Sequence, residues 1–107
     1  MELEEDSWLE CVTGLGDRHR CRIVALLAQG ERCVNDITQS LDLRQNTASH
    51  HLKVLRDLGI VTARRDGHDQ RWVYYRLNED RLRVLADVFN EFYESAKTPR
   101  FISEVAE

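Results

Sequence analysis

At 107 residues, the chain has material for one domain with a modest core, of the kind that a partner subunit often completes. Charged residues make up 32% and there is a single proline, so the composition excludes a disordered or collagen-like chain, and no apolar run approaches a membrane span. The formal net charge of −4 is unevenly spread: Leu43 to Leu77 holds seven Lys/Arg against three Asp/Glu between acidic flanks, the footprint of a localised phosphate-binding face.

The N-terminus, Met-Glu-Leu-Glu-Glu-Asp, is acidic and has no apolar h-region, so a signal peptide is not expected and a cytoplasmic location is. Residues 3–13 read as a short helix carrying Leu3, Trp8, Leu9, Cys11 and Val12. Gly14 and Gly16 break it. Asp17 is placed to cap the next helix, about Arg18 to Gln29, because its carboxylate can accept from the first open N–H groups. Cys21, Val24 and Ala28 form one stripe of that helix, with Ile23 and Leu27 beside it, and Gly30 ends it. Asn35 is expected to cap a short helix over 36–41 with Ile37 and Leu41 inward, and 42–44 to turn the chain.

The stretch from Leu43 to Val61 faces two ways. Ala48, Leu52, Leu55 and Leu58 recur at spacings of three and four and line a buried stripe. Gln45, Asn46, Thr47, Ser49 and His50 crowd the first turns, with Lys53 one turn on. Gln and Asn can bond base edges bidentately, and Ser and Thr can bond bases or phosphates. Gly59 supplies the stop. An amphipathic surface helix would share this spacing, but two helices joined by a short turn over 35–58 make a helix-turn-helix, with this as the recognition helix.

Past Gly59 the period becomes two. Residues 61–65 read as a strand, Asp66-Gly67-His68-Asp69-Gln70 as a turn, and 71–77 as the return strand, with Val73, Tyr75 and Leu77 on the core face and Trp72, Tyr74 and Arg76 outward. A hairpin straight after a recognition helix is a wing, here over 61–77. Its Arg64, Arg65, Arg71 and His68 are candidates for phosphates or the minor groove. Asn78 caps a last long helix, about 79–96. There Leu82, Leu85, Phe89 and Phe92 repeat at three and four, a larger apolar face than so small a domain can cover. It is expected to form a dimer surface with the first helix, about residues 1–16; packing back onto its own domain is the alternative. Pro99 stops the helix. The expected fold class is therefore mainly α with a two-stranded β-wing, a single winged helix-turn-helix over 1–107, homodimeric through its first and last helices.

These segments resemble the ArsR/SmtB family of bacterial metal-responsive repressors. Gly14-Leu15-Gly16-Asp17-Arg18-His19-Arg20-Cys21-Arg22-Ile23 looks like the family's A-L-x-D-P-T-R-L-R-I-L opening. Ser49-His50-His51-Leu52-Lys53-Val54-Leu55-Arg56-Asp57-Leu58-Gly59-Ile60-Val61 is similar to its S-x-H-L-x-x-L-x-x-A-G-L-V signature. Arg65-Asp66-Gly67 and Tyr74-Tyr75-Arg76-Leu77 match its wing. The match covers roughly residues 12–95. Arg18 replaces the family's proline, Cys21 a buried leucine, and Arg44 a capping serine. The resemblance implies a homodimer that represses by occupying double-stranded operator DNA in two successive major grooves and leaves when an inducer binds. No cofactor is implied for DNA binding.

Three cysteines, at 11, 21 and 33, are an odd number and make no disulfide framework. The family's third-helix inducer site is Cys-x-Cys; here Cys33-Val34-Asn35 keeps only the first thiol. Its last-helix Asp/His site is missing, since 79–107 holds no His or Cys. Cys33 with Cys11 remains as the ligand pair; Cys21 is a less favoured third ligand and is expected rather as a small core residue. Thiolates are soft and suit As(III), Sb(III), Cd(II) or Pb(II). A redox or reactive-sulfur switch would use the same residues, and a winged-helix protein-interaction module is the reading from another class. His51 is expected as a satisfied core histidine. No Gly-rich phosphate loop, metal-protease pair or Ser/His/Asp arrangement points to an enzyme.

Overall fold

A computed structural model describes residues 5–69 and 71–103. Residues 1–4, including Leu3 of the expected first helix, Gln70 of the expected wing turn and residues 104–107 lie outside the described residues. In chain order the elements are α1 (Glu5–Gly14), α2 (Arg18–Leu27), β1 (Arg32–Cys33), α3 (Val34–Leu41), α4 (Gln45–Asp57), β2 (Val61–Arg65), β3 (Val73–Leu77) and α5 (Glu79–Lys97).

Asp17 caps α2 as its carboxylate should, accepting from the N–H groups of His19 at 2.8 Å and Arg20 at 3.1 Å. The buried face of α2 differs from the expected stripe. Ile23 and Leu27, four apart, are buried, while Cys21 and Ala28 are exposed. The two larger aliphatic side chains take the core face, and Cys21, two residues or about 200° from Ile23, is turned away from it. Cys21 is therefore not a core residue.

Helix α3 starts two residues earlier than expected. Its N-cap is Cys33, which makes no side-chain capping bond; Asn35 lies inside the helix and is exposed. The cause is a strand too short to leave a periodic pattern. Arg32 and Cys33 pair antiparallel with Tyr75 and Tyr74, and the chain turns from this strand directly into the helix. The sheet thus has three strands in the order β1-β3-β2, where two were expected. Asp42, at φ 54°, adopts the left-handed conformation that ends α3.

Helix α4 ends as its sequence specifies. Gly59 sits at φ 77°, its N–H bonds Arg56 O at 2.9 Å, and the Ile60 N–H reaches back to Leu55 O at 3.0 Å. This pair of bonds is the Schellman arrangement, and its apolar partners Ile60 and Leu55 are fully buried. Ile23, Ile37, Ala48, Leu52 and Val61 complete the centre of the core. Each of the Ile, Leu and Val side chains among them contributes roughly 1.5–3 kcal/mol on burial.

The hairpin pairs Val61 with Leu77 through Arg65 with Val73. Its loop is longer than a two-residue Asp-Gly turn. The Asp66 N–H closes on Trp72 O at 2.8 Å, and the return strand begins at Val73 rather than Arg71. Asp66 and Asp69 fold the tip, their carboxylates accepting from the backbone N–H groups of His68 and Arg71. Tyr75 and Leu77 pack on the core and Arg76 is exposed, as alternation requires. Tyr74 faces outward opposite Arg64 yet is half-buried, because the Arg64 guanidinium lies over its ring at 5.0 Å.

Asn78 ties the start of α5 to the end of α4. Its side chain accepts from Arg81 N–H and donates to Gly59 O at 2.9 Å, while its backbone N–H bonds Ile60 O at 2.8 Å. Leu85 is the buried residue of α5; beyond it Phe89, Phe92 and Tyr93 are 50%, 51% and 60% exposed. Trp8 of α1 meets Phe92 edge-on at 5.8 Å. The helix extends past the core, so the radius of gyration is 17.3 Å, against about 13 Å for a compact chain of this length.

Candidate nucleic-acid interface

The buried stripe of α4 fixes what its other face presents. With Ala48, Leu52 and Leu55 packed inward, Gln45, Asn46, Ser49, His50 and Lys53 are exposed and Thr47 is half-buried. No side chain caps the first turn at Arg44, so its N–H groups are left open beside Gln45 and Asn46. Lys53 is paired with Asp57 one turn on at 2.9 Å, an exposed contact that a phosphate can displace.

His51, the core-side neighbour of His50, is buried as expected. Arg20, which can only donate, places its guanidinium 3.0 Å from His51 Nδ1, so Nδ1 is the acceptor and the proton sits on Nε2. Burial holds the imidazole below its ordinary pKa. Asp17 at 3.9 Å opposes that shift, and Arg20, His50 and His19 add to it. Arg20 also donates to Gly14 O at 2.6 Å, linking the end of α1, α2 and the recognition helix.

The wing cations do not all leave the ladder on one face. Residues paired directly across a ladder share a face, so Arg65, opposite Val73, faces the side of Ala63 and Tyr75, and Arg64, opposite Tyr74, the reverse side. Arg64 is held bidentately by Glu31 at 2.9 and 2.6 Å, and its hydrogen bonds keep the Glu31 carboxyl below the usual range. Arg71 is held by Asp69 at 3.0 and 2.8 Å, which lowers the Asp69 pKa in the same way. His68 is exposed at the tip.

Sequence reasoning passed over Arg56. It shares walls with Ala63, Arg64, Arg65, Val73 and Tyr75 around a cavity of about 240 Å³, which brings α4 and the wing together at a cationic step. Its signal was present: Ser49, Lys53 and Arg56 are spaced i, i+4, i+7, one face of a helix.

Each of the two buried thiols lies at an end of a helix-turn-helix segment. Cys11 is 1% exposed and its Sγ donates to Leu58 O, the C-cap carbonyl of α4, at 3.4 Å. Cys33, the N-cap of α3, donates to Asp36 Oδ2 at 3.4 Å. Cys21 is exposed, its Sγ 2.7 Å from Leu15 O. Among the described residues of one chain, no three His, Cys, Asp or Glu side chains gather into a metal-holding group. No described helix is long and apolar enough to cross a membrane.

Residues 17–63 match the family described as "Bacterial regulatory protein, arsR family". The arsenic resistance transcriptional regulator ArsR1 of Pseudomonas putida is 45% identical over 67 residues, 62% of this chain and 50% of that protein. The chain thus spans about half the length of that relative. An HTH-type transcriptional regulator of Methanocaldococcus jannaschii is 37% identical over 83 residues, 77% of this chain and 90% of that protein. Among solved structures, the homodimeric winged helix-turn-helix DNA-binding domain of a possible ArsR-family regulator from Mycobacterium bovis superposes with a TM-score of 0.65 at 33% identity, over 90% of this chain and 89% of that one. The helix-turn-helix and wing described above are the fold named for that solved structure, and the chain belongs to the ArsR family of DNA-binding bacterial transcriptional regulators.

Proposed function

We propose that the protein is a homodimeric repressor. It sets two α4 helices in successive major grooves of an operator and leaves when a thiophilic metal(loid), As(III) foremost, is held by cysteine thiolates. One observation carries the reading. A helix whose inner face is fully packed presents Gln45, Asn46, Ser49 and His50 outward, in a chain whose α5 leaves Phe89, Phe92 and Tyr93 uncovered. The first feature suits base edges; the second suits a second copy. Gln45 and Asn46 read bases, Ser49, His50 and Lys53 add base or phosphate contacts, and Arg64, Arg65, Arg71 and His68 meet the backbone, Arg64 and Arg71 once Glu31 and Asp69 yield to phosphate.

The inducer step follows from where the thiols sit. To act as ligands, Cys11 and Cys33 lose their protons and the hydrogen bonds to Leu58 O and Asp36. Cys11 then no longer supports the end of α4, and Cys33 no longer holds its place at the start of α3. An ion that binds this displaced arrangement better than the DNA-bearing one drives release; tight binding alone would not. One chain gathers no three-ligand group among its described residues, so both protomers supply the ligands, α1 lying beside the half-exposed aromatic face of α5. Relatives named for arsenic resistance support As(III), and others named for cadmium resistance keep Cd(II) as the competing soft ion.

The test is a mobility shift on DNA upstream of the gene, titrated in parallel with As(III), Cd(II), Zn(II) and peroxide. As(III) should release the wild type and Cys21→Ser but not Cys33→Ser, which should still bind DNA. Release of Cys33→Ser by As(III) would remove the thiol assignment; release by peroxide alone would replace it with a redox switch. Absence of any salt-dependent shift would remove the DNA reading.

A further inference from the structure

We propose that the cleft between α4 and the wing is an effector site for a small, uncharged, planar aromatic compound with hydrogen-bond-accepting edges, and that its occupancy and DNA contact exclude each other. The cleft has a volume of about 440 Å³, inside the range of roughly 300–1,000 Å³ typical of small-molecule sites. It is separate from the thiol chemistry in kind, although Cys33 contributes to its edge.

The walls state what would fit. Val34, Trp72, Val73 and Tyr75 give an apolar lining with two aromatic rings, while Asn35 of α3 and Gln45 and Ser49 of α4 supply neutral donors. The one cation in the lining, Arg71, already has Nε and one terminal nitrogen on Asp69, so its charge is balanced within the wing. That balance favours an uncharged occupant over an anion. The aromatic wall is also fixed in advance. Trp72 lies outside the strand ladder, yet its N–H bonds Asp69 O at 3.0 Å and its carbonyl accepts from Asp66 N–H at 2.8 Å. Its backbone is therefore held while its side chain remains 42% exposed residue-wide, an available π-face at the mouth of the cleft.

The exclusion comes from shared residues. Gln45 and Ser49 are on the outward face of α4 and in the cleft wall at once, so a compound bonded to them removes two groups from the DNA-contacting set. This half of the proposal rests on the reading of α4 given above; the binding half does not.

The experiment is an amide-correlation NMR titration of the full chain with quinazolin-4-one as the probe. Shifts should appear at Asn35, Gln45, Ser49 and the Trp72 indole N–H. Trp72→Ala should weaken binding about tenfold while leaving the remaining spectrum in place, and Gln45→Ala should weaken it independently. Adding a duplex that the protein binds should reverse the shifts. No shifts, shifts at Phe89 and Phe92 instead, or undiminished binding by Trp72→Ala would overturn the site. Shifts at the cleft that persist in the DNA complex would overturn the exclusion, and a protein that binds the probe but no duplex would fault the DNA reading alone.

Discussion

Glu31 holds Arg64 by two hydrogen bonds, at 2.9 and 2.6 Å, across 33 residues of sequence. The carboxylate comes from the loop before β1 and the guanidinium from β2, so a wing cation offered to phosphate is already partnered in the free chain. Glu31→Gln should release it. The expected result is tighter operator binding at low salt and a salt slope steeper by roughly one phosphate contact, with sequence preference unchanged. An unchanged slope would mean that Arg64 does not reach the DNA backbone.

The uncovered rings of α5 give a second prediction. Phe89→Glu or Phe92→Glu puts a charge on a face that is 50% and 51% exposed in one chain and, in the proposed dimer, buried. Either variant should elute as a folded monomer by light scattering and lose operator affinity, although α4 and the wing are untouched. A variant that remains dimeric would place the interface elsewhere.

His51 makes stability depend on pH. Burial lowers its pKa in the folded chain, so the unfolded chain takes the proton first as pH falls past about 6.5. The contribution of neutral His51 is thus complete above that value and declines below it, until the folded-state pKa is reached. Urea midpoints should be flat from pH 8 to 7 and fall toward pH 5. His51→Gln, which keeps an acceptor for Arg20 without titrating, should flatten that fall. An identical decline in the variant would assign it to other groups.

Gly59→Ala tests the end of the recognition helix. A Cβ there would adopt φ 77° and stand 2.8 Å from the Arg81 guanidinium, which itself donates to Leu58 O at 3.0 Å. The expected cost is about 1–2 kcal/mol, seen as a lower urea midpoint with an unchanged slope. A neutral result would mean that α4 can end without the left-handed residue.

What the sequence determined by itself was local. The apolar spacing of α4, the Asp17 and Asn78 caps, the Gly59 stop and the period change at Val61 each depend on neighbours within a few residues, and all are realised. Tertiary structure alone decided the rest. Strand β1 exists because Arg32 and Cys33 find Tyr75 and Tyr74 some 40 residues away, a pairing with no local period. Cys21 is exposed because Ile23 and Leu27 outcompete it for one face of a helix that admits only one. Arg64 and Arg65, adjacent in sequence, part to opposite sides of the sheet, and Glu31 reaches one of them from another segment. Composition could count those charges, but pairing across distance decides which of them are available to meet DNA.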